Sequence, residues 1–86
     1  MIEIIYAPIF VRNFKKLNDN LKEEILEKIE MFKSISNHKL LKVHKLNGKH
    51  KDCYSFSINY TYRIIFQYQN KNQVALLAIG DHDIYK

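Results

Sequence analysis

The chain has 86 residues, 47% of them hydrophobic, with two glycines and one proline, which predicts one folded domain over residues 1–86 and excludes a disordered chain. Its 14 Lys and Arg exceed its nine Asp and Glu, for a formal charge of +5. This charge indicates either a nucleic-acid partner or a solvated lysine surface. No stretch is long and apolar enough to span a bilayer and the start lacks a signal-peptide pattern, so we expect a cytoplasmic protein with no membrane partner.

The N-terminal part predicts a strand and two helices. Residues 2–6 are rich in β-branched types, which indicates a short strand ended by Pro8. Pro8 can open a first helix, whose apolar residues recur at helical spacing at Phe10, Phe14 and Leu17. Residues 18–20 offer caps for a second helix, with an apolar stripe at Leu21, Ile25, Ile29 and Phe32. The short link between the helices predicts an antiparallel hairpin packed on a sheet.

The middle of the chain is basic. Residues 38–51 contain five lysines, three histidines and no acid, whereas residues 19–30 carry five acids against two lysines. Residues 36–52 show no clean hydrophobic period and include the turn signal Asn47-Gly48. We therefore expect an ordered basic loop here.

The C-terminal part predicts three strands. Residues 53–59 and 62–68 alternate apolar and polar side chains, and an odd number of loop residues between them would place Arg63 on one face with Ser57 and Asn59. Residues 73–80 are apolar on both faces, which is typical of a strand covered on both sides. The predicted fold is α+β: a first strand, a two-helix antiparallel hairpin, and a three-stranded antiparallel meander that forms one sheet with the first strand.

Arg63 and the C-terminal residues should converge. Arg63 begins one strand and the sequence GDHDIY follows the next, so an antiparallel turn brings Arg63, His82 and Tyr85 to the same end of the sheet. RNA cleavage by a ribose 2′-hydroxyl needs a base, a cation and an acid, and this set can supply all three. The alternatives are that Arg63 pairs with Asp81 or Asp83 on the surface, that His82 is a turn residue and that Tyr85 packs on the domain edge.

Metal and disulfide chemistry find little support. Cys53 is the single cysteine, which excludes an internal disulfide. Asp81, His82 and Asp83 are adjacent and point in different directions, and nothing matches the spacing of a structural zinc site. We expect neither a metal nor a cofactor.

The segments HKLNGKHKDCYSFSINYTYRIIF and LLAIGDHDIY resemble the RelE/ParE superfamily of toxins, especially its RelE/YafQ-like branch. The resemblance implies a RelE-like microbial ribonuclease fold and a toxin of a type II toxin-antitoxin system, which cleaves messenger RNA in the ribosome and is neutralised by a cognate antitoxin. It implies that Arg63 binds the cleaved phosphate, that His82 and Tyr85 are the terminal catalytic pair and that His44 is a candidate general base. Contacts to RNA or the ribosome would come from Lys42, Lys45, Lys49, His50 and Lys51.

One departure from the family keeps alternatives open. RelE has two lysines on the strand face that here presents Ser55 and Ser57, and a serine cannot offset phosphate charge. Either the chain relies on its histidines and Arg63 or its catalysis is weak. The alternatives to an endoribonuclease are therefore a ParE-like gyrase inhibitor and a catalytically degenerate toxin that acts as a binding module.

Overall fold

A computed structural model describes residues 1–48 and 52–81 of the chain, and within them two helices pack on one mixed sheet. The elements in chain order are β1 Glu3–Tyr6, α1 Pro8–Lys15, α2 Asp19–Phe32, a 3₁₀ helix Ile35–Asn37, β2 His44–Lys45, β3 Tyr54–Ser57, β4 Arg63–Asn70 and β5 Gln73–Gly80. The strand order in this sheet of five strands is β1-β5-β4-β3-β2. β1 runs parallel to β5 and the other neighbours are antiparallel, so the predicted α+β architecture is confirmed.

Both helices begin where the sequence predicts. Pro8 occupies the first turn of α1, where its missing N–H is not needed. Asn18 caps α2, because its side chain accepts a hydrogen bond of 2.9 Å from the N–H of Leu21. The ammonium group of Lys22 lies 5.9 Å from the ring centre of Phe14, so the start of α2 lies beside the end of α1.

The main core lies between the helices and one face of the sheet, and Phe32 is at its centre. The Phe32 ring stacks on Phe56 with 4.4 Å between centroids and meets Phe66 edge-on at 4.8 Å. His38 stacks on the other side at 4.6 Å, and its Nε2 donates a hydrogen bond of 2.8 Å to the Phe32 carbonyl oxygen. This histidine of the basic segment is therefore part of the core packing.

β5 is the most covered strand, as its sequence predicts. It lies between β1 and β4, and Val74, Ala75 and Leu76 are all buried. A register shift occurs between Ile65 and Phe66, which pair with Ala78 and Leu76, so that β5 carries an extra residue there. Beyond the shift, Arg63 lies opposite Gly80.

The prediction of a loop throughout residues 36–52 is wrong in two places. The 3₁₀ helix reaches Asn37, and β2 adds a strand to the edge of the sheet beside β3. Backbone hydrogen bonds continue this pairing on both sides, from Leu46 N–H to the Cys53 oxygen at 2.9 Å and from Ser57 N–H to the Leu41 oxygen at 2.8 Å. A two-residue strand is too short to show any alternation, so only the tertiary pairing reveals it.

Of the helices that the structure describes, none is long and apolar enough to cross a membrane.

Candidate active site

His44 and Arg63 lie on the same face of the sheet. His44 pairs with Ser55, and Ser57 pairs with Arg63, and directly paired residues of an antiparallel ladder point to the same side. Ser55 and Ser57 share that side because they are two residues apart. Phe56, which lies between them, points into the core under the helices. We call the group formed by His44, Ser55, Ser57 and Arg63 the polar face; it lies opposite the helices.

One strand lies between the two candidate catalytic residues. β3 separates β2 from β4, and two residues along β3 separate the two pairs. With ordinary strand spacing, the Cα atoms of His44 and Arg63 are about 12 Å apart.

The tautomer of the neutral His44 ring follows from one hydrogen bond. Its Nδ1 lies 2.9 Å from the carbonyl oxygen of Lys42, and a carbonyl oxygen can only accept, so Nδ1 carries the proton. In the neutral ring, Nε2 then holds the lone pair. The side chain is exposed. A neutral, accessible histidine with this tautomer can act as a general base.

Lys42 holds that carbonyl in place through an unusual backbone conformation. Its φ of 58° lies in the left-handed region, which costs a residue other than glycine about 1–2 kcal/mol. Strain of this kind concentrates at functional sites, where the surrounding structure maintains it. Here the strained residue supplies the acceptor that orients His44.

Ser55 differs from the role that its sequence position suggests. It is 0% exposed, so it does not present its hydroxyl to a bound polyanion as a surface lysine would. Its Oγ instead lies 3.4 Å from Nε2 of His44. By sequence, Ser55 lies on the strand face where RelE has lysines. In the structure, it contacts the candidate base. Its pairing with His44 depends on β2, and β2 has no sequence signal.

Arg63 is held by backbone carbonyls. Its Nη1 donates to the carbonyl oxygens of Asn59 at 2.6 Å and Tyr62 at 3.1 Å. In the described part of the chain, Arg63 forms no ion pair, and the alternative of a pair with Asp81 is not observed. Asp83 lies outside the described residues. The guanidinium is therefore positioned without being neutralised by Asp81.

The turn between β3 and β4 fixes the acceptor that Arg63 uses. The Asn59 side-chain oxygen accepts the N–H groups of Thr61 and Tyr62, each at 2.9 Å, and its amide nitrogen donates to Glu24 on α2 at 2.7 Å. The prediction that Asn59 extends the face of Arg63 is wrong, because Asn59 lies in the turn and uses its side chain to close it. This turn anchors Arg63 to the helical layer.

A cleft of about 400 Å³ opens beside Arg63. It runs between the second half of α2, the segment before β2 and the end of β3. Its lining residues are Lys28, Met31, Leu40, Leu41, Lys42, Ser57, Ile58, Asn59, Tyr60 and Arg63. It combines three cationic side chains with apolar ones.

The remaining predicted site residues are distributed differently. Lys42 lines the cleft, but Lys45 pairs with Tyr54, whose ring packs on Phe66, so Lys45 lies on the helix side and not on the polar face. The predicted residues Lys49, His50, Lys51, His82 and Tyr85 lie outside the described residues. The structure thus brings together His44, Lys42 and Arg63 of the predicted set.

Cys53 does not supply a nucleophile. Burial raises the pKa of its thiol, and the nearby Asp52 carboxylate raises that pKa further. The thiol therefore stays protonated near neutral pH. In residues 1–48 and 52–81, no group of three His, Cys, Asp or Glu side chains has an arrangement that could hold a metal ion.

Several solved structures, two of them toxin-antitoxin complexes, share this fold. The YoeB–YefM complex from Staphylococcus aureus has a chain that is 19% identical, with 95% of this chain and 98% of that chain covered and a TM-score of 0.73. The toxin-antitoxin complex RelBE2 from Mycobacterium tuberculosis gives 17% identity, 94% and 98% coverage and a TM-score of 0.75. YafQ from E. coli gives 15% identity, 98% and 97% coverage and a TM-score of 0.70. At these identities the likeness establishes the fold.

The family is shown by the sequence itself. No curated protein sequence matches the chain significantly. A family model described as the RelE-like toxin of type II toxin-antitoxin system HigB matches residues 10–82, which is most of the chain. The chain therefore belongs to the HigB-like family of RelE-like toxins of type II toxin-antitoxin systems.

Proposed function

We propose that this toxin is a metal-independent endoribonuclease that cleaves messenger RNA on the ribosome and thereby inhibits translation in the cytoplasm. One observation carries the proposal: within the described residues, a histidine whose Nδ1 donates to a backbone carbonyl and an arginine that donates only to backbone carbonyls lie on one sheet face. Cleavage by a 2′-hydroxyl requires these two capabilities, a base and a cation. Family membership supports the same chemistry.

In the proposed reaction, Nε2 of His44 removes the proton from the ribose 2′-hydroxyl as that oxygen attacks the adjacent phosphorus. The Arg63 guanidinium binds the phosphate oxygens, where negative charge builds up in the transition state. The bond from phosphorus to the 5′-oxygen then breaks, and this oxygen takes a proton from His82 or Tyr85. The products are a 2′,3′-cyclic phosphate and a 5′-hydroxyl end. His82 and Tyr85 enter this scheme through the family resemblance.

The basic segment is proposed to bind the RNA backbone and the ribosome. Lys42 faces the cleft beside Arg63, and Lys49, His50 and Lys51 follow in the same charged stretch. Lys45, which lies on the helix side of β2, would contact the RNA backbone from that side. Such contacts release counterions and make binding sensitive to salt.

A cognate antitoxin is the proposed inhibitor. The YoeB–YefM and RelBE2 structures are complexes of a toxin with its antitoxin. An acidic or amphipathic segment of the partner would complement the basic stretch of this chain and keep RNA from the polar face.

The test is a cleavage assay on ribosomes programmed with a defined messenger RNA. We expect the wild type to cut the message and both His44→Ala and Arg63→Ala to lose roughly 100- to 1,000-fold in rate, which is typical when one transition-state contact is removed. Lys71→Ala is the matched control, because this exposed lysine lies at the opposite end of β4 from Arg63 and should retain full activity.

Two results would contradict the proposal. Intact messenger RNA after incubation with the wild type would remove the ribonuclease function and favour the binding module. Inhibition of DNA gyrase supercoiling at low micromolar protein, without RNA cleavage, would instead support the ParE-like alternative.

A further inference from the structure

The turn between β3 and β4 presents an aromatic ring to solvent. Tyr60 is 96% exposed and lines the cleft beside Arg63. Isolated exposed apolar side chains are common on protein surfaces and by themselves indicate nothing. Tyr60 is set apart by the rigidity of its turn and by the chemistry of the cleft that it borders.

The backbone around Tyr60 is held by hydrogen bonds on both sides. Ile58 N–H donates to the Tyr62 oxygen at 3.0 Å, and the Asn59 side chain binds the two N–H groups that follow Tyr60. Arg63 donates to the Asn59 carbonyl at 2.6 Å. The backbone that carries the ring is therefore held at a fixed place relative to the guanidinium, so only the two side-chain torsions of Tyr60 remain to be ordered when a ligand stacks on it.

The rest of the cleft has the two properties that a nucleotide requires. Leu40, which is 70% exposed, adds a second apolar surface, while Lys28, Lys42 and Arg63 supply positive charge. An exposed aromatic ring beside cations is the usual arrangement for unpaired bases, whose flat faces stack while their phosphates are neutralised. The volume of about 400 Å³ lies within the range of small-molecule sites.

We propose that this cleft binds the nucleotide next to the cleaved phosphate, with its base stacked on Tyr60. The proposal rests on the proposed function, because Arg63 marks the phosphate that is cut. It assigns Tyr60 as a specificity-determining residue. Stacking strength then sets the preference of the toxin, so a purine at this position is cleaved faster than a pyrimidine.

The test measures kcat/KM for cleavage on ribosomes programmed with messages that carry a purine, a pyrimidine or an abasic site at each nucleotide flanking the cut. With the wild type, an abasic site at one flanking position should lower kcat/KM roughly 5- to 150-fold, the range for the loss of one stacked base. Tyr60→Ala on the intact message should cause a similar loss. Combining Tyr60→Ala with the abasic message should add little, because both changes remove the same contact.

Two further variants keep this test specific. Tyr60→Phe keeps the ring and should restore both the rate and the purine preference. Leu26→Ala is the matched control, since this side chain is 51% exposed but does not line the cleft, and it should behave as wild type. Tyr60 is exposed, so thermal unfolding of Tyr60→Ala should match that of the wild type.

The outcomes separate this proposal from the function on which it rests. Arg63-dependent cleavage with an unchanged base preference in Tyr60→Ala would overturn the stacking proposal alone. The stacking proposal would also be overturned if Tyr60→Ala lowered kcat/KM by the same factor on intact and abasic messages. It would be overturned as well if Tyr60→Ala cleaved normally but bound the antitoxin more weakly, because Tyr60 would then be a contact to protein. Absence of cleavage by the wild type would overturn both proposals.

Discussion

The two faces of the sheet are built in different ways. The helix side is held by side-chain packing, with the rings of Phe32, Phe56 and Phe66 stacked, edge-on or tilted at centroid distances of 4.4–5.8 Å. On the polar face, backbone carbonyls orient the important side chains: Lys42 binds His44, and Asn59 and Tyr62 bind Arg63. Stability and activity should therefore respond to different substitutions, even though only the thickness of one sheet separates the two sets.

The largest effect on stability should come from Phe32. Phe32→Ala removes the ring that contacts two other phenylalanines and His38, and we expect it to lower the free energy of unfolding by about 3–5 kcal/mol. Urea denaturation measures this loss. Leu26→Ala should change stability far less, because Leu26 is half exposed.

Activity tests whether the faces are separable. Phe32→Leu, a milder change, should keep its cleavage rate per folded molecule once the folded fraction is taken into account. A larger loss of cleavage than of folded protein would show that core packing also positions the polar face.

A smaller effect, confined to activity, is expected at Ser55. Ser55→Ala removes the hydroxyl beside Nε2 of His44, and the loss of one such contact should lower the cleavage rate roughly 2- to 10-fold. Ser36→Ala is the matched control, because this exposed serine lies in the 3₁₀ helix and does not line the cleft, and it should leave the cleavage rate unchanged. An unchanged cleavage rate in Ser55→Ala would contradict a role for this hydroxyl beside His44.

The smallest effect should come from the backbone at Lys42. Lys42→Gly and Lys42→Ala both remove the cation, but glycine adopts a φ of 58° without strain, so Lys42→Gly should be more stable than Lys42→Ala by about 1 kcal/mol. Chemical denaturation measures the difference. Equal stability of the two variants would contradict the assignment of strain to this residue.

The same pair of variants also tests the orientation of His44. Both should show a weaker dependence of RNA binding on salt than the wild type, since each lacks one phosphate contact. Because neither variant has the Lys42 ammonium, a difference between their cleavage rates would come from the backbone at residue 42, whose carbonyl oxygen accepts from Nδ1 of His44.

The sequence predicts the covered side of the molecule better than the polar face. The apolar stripe of α2 and the alternation of β3 and β4 follow directly from periodicity. These features depend on spacing along the chain. They can be read without knowing which strand pairs with which.

The missed features all depend on contacts between distant residues. β2 has two residues and no period, so the pairing of His44 with Ser55 and the opposite orientation of Lys45 were hidden. The sequence also shows Tyr60 as one aromatic residue among several. The proposed role of Tyr60 in base stacking rests on the hydrogen bonds of Asn59 and on the cleft, and both depend on the tertiary structure.

The parallel pairing of β1 with β5 has a consequence for how the toxin is made. Glu3 lies opposite Gln73, so the first strand can join the sheet only after the last strand of the described chain has been synthesised. Contacts that join distant parts of a chain form late in folding, because a long loop must close first. On a ribosome that is making this toxin, β1 therefore stays without its neighbouring strand until β5 has emerged, and the sheet remains incomplete while the helices and β2 to β4 are synthesised.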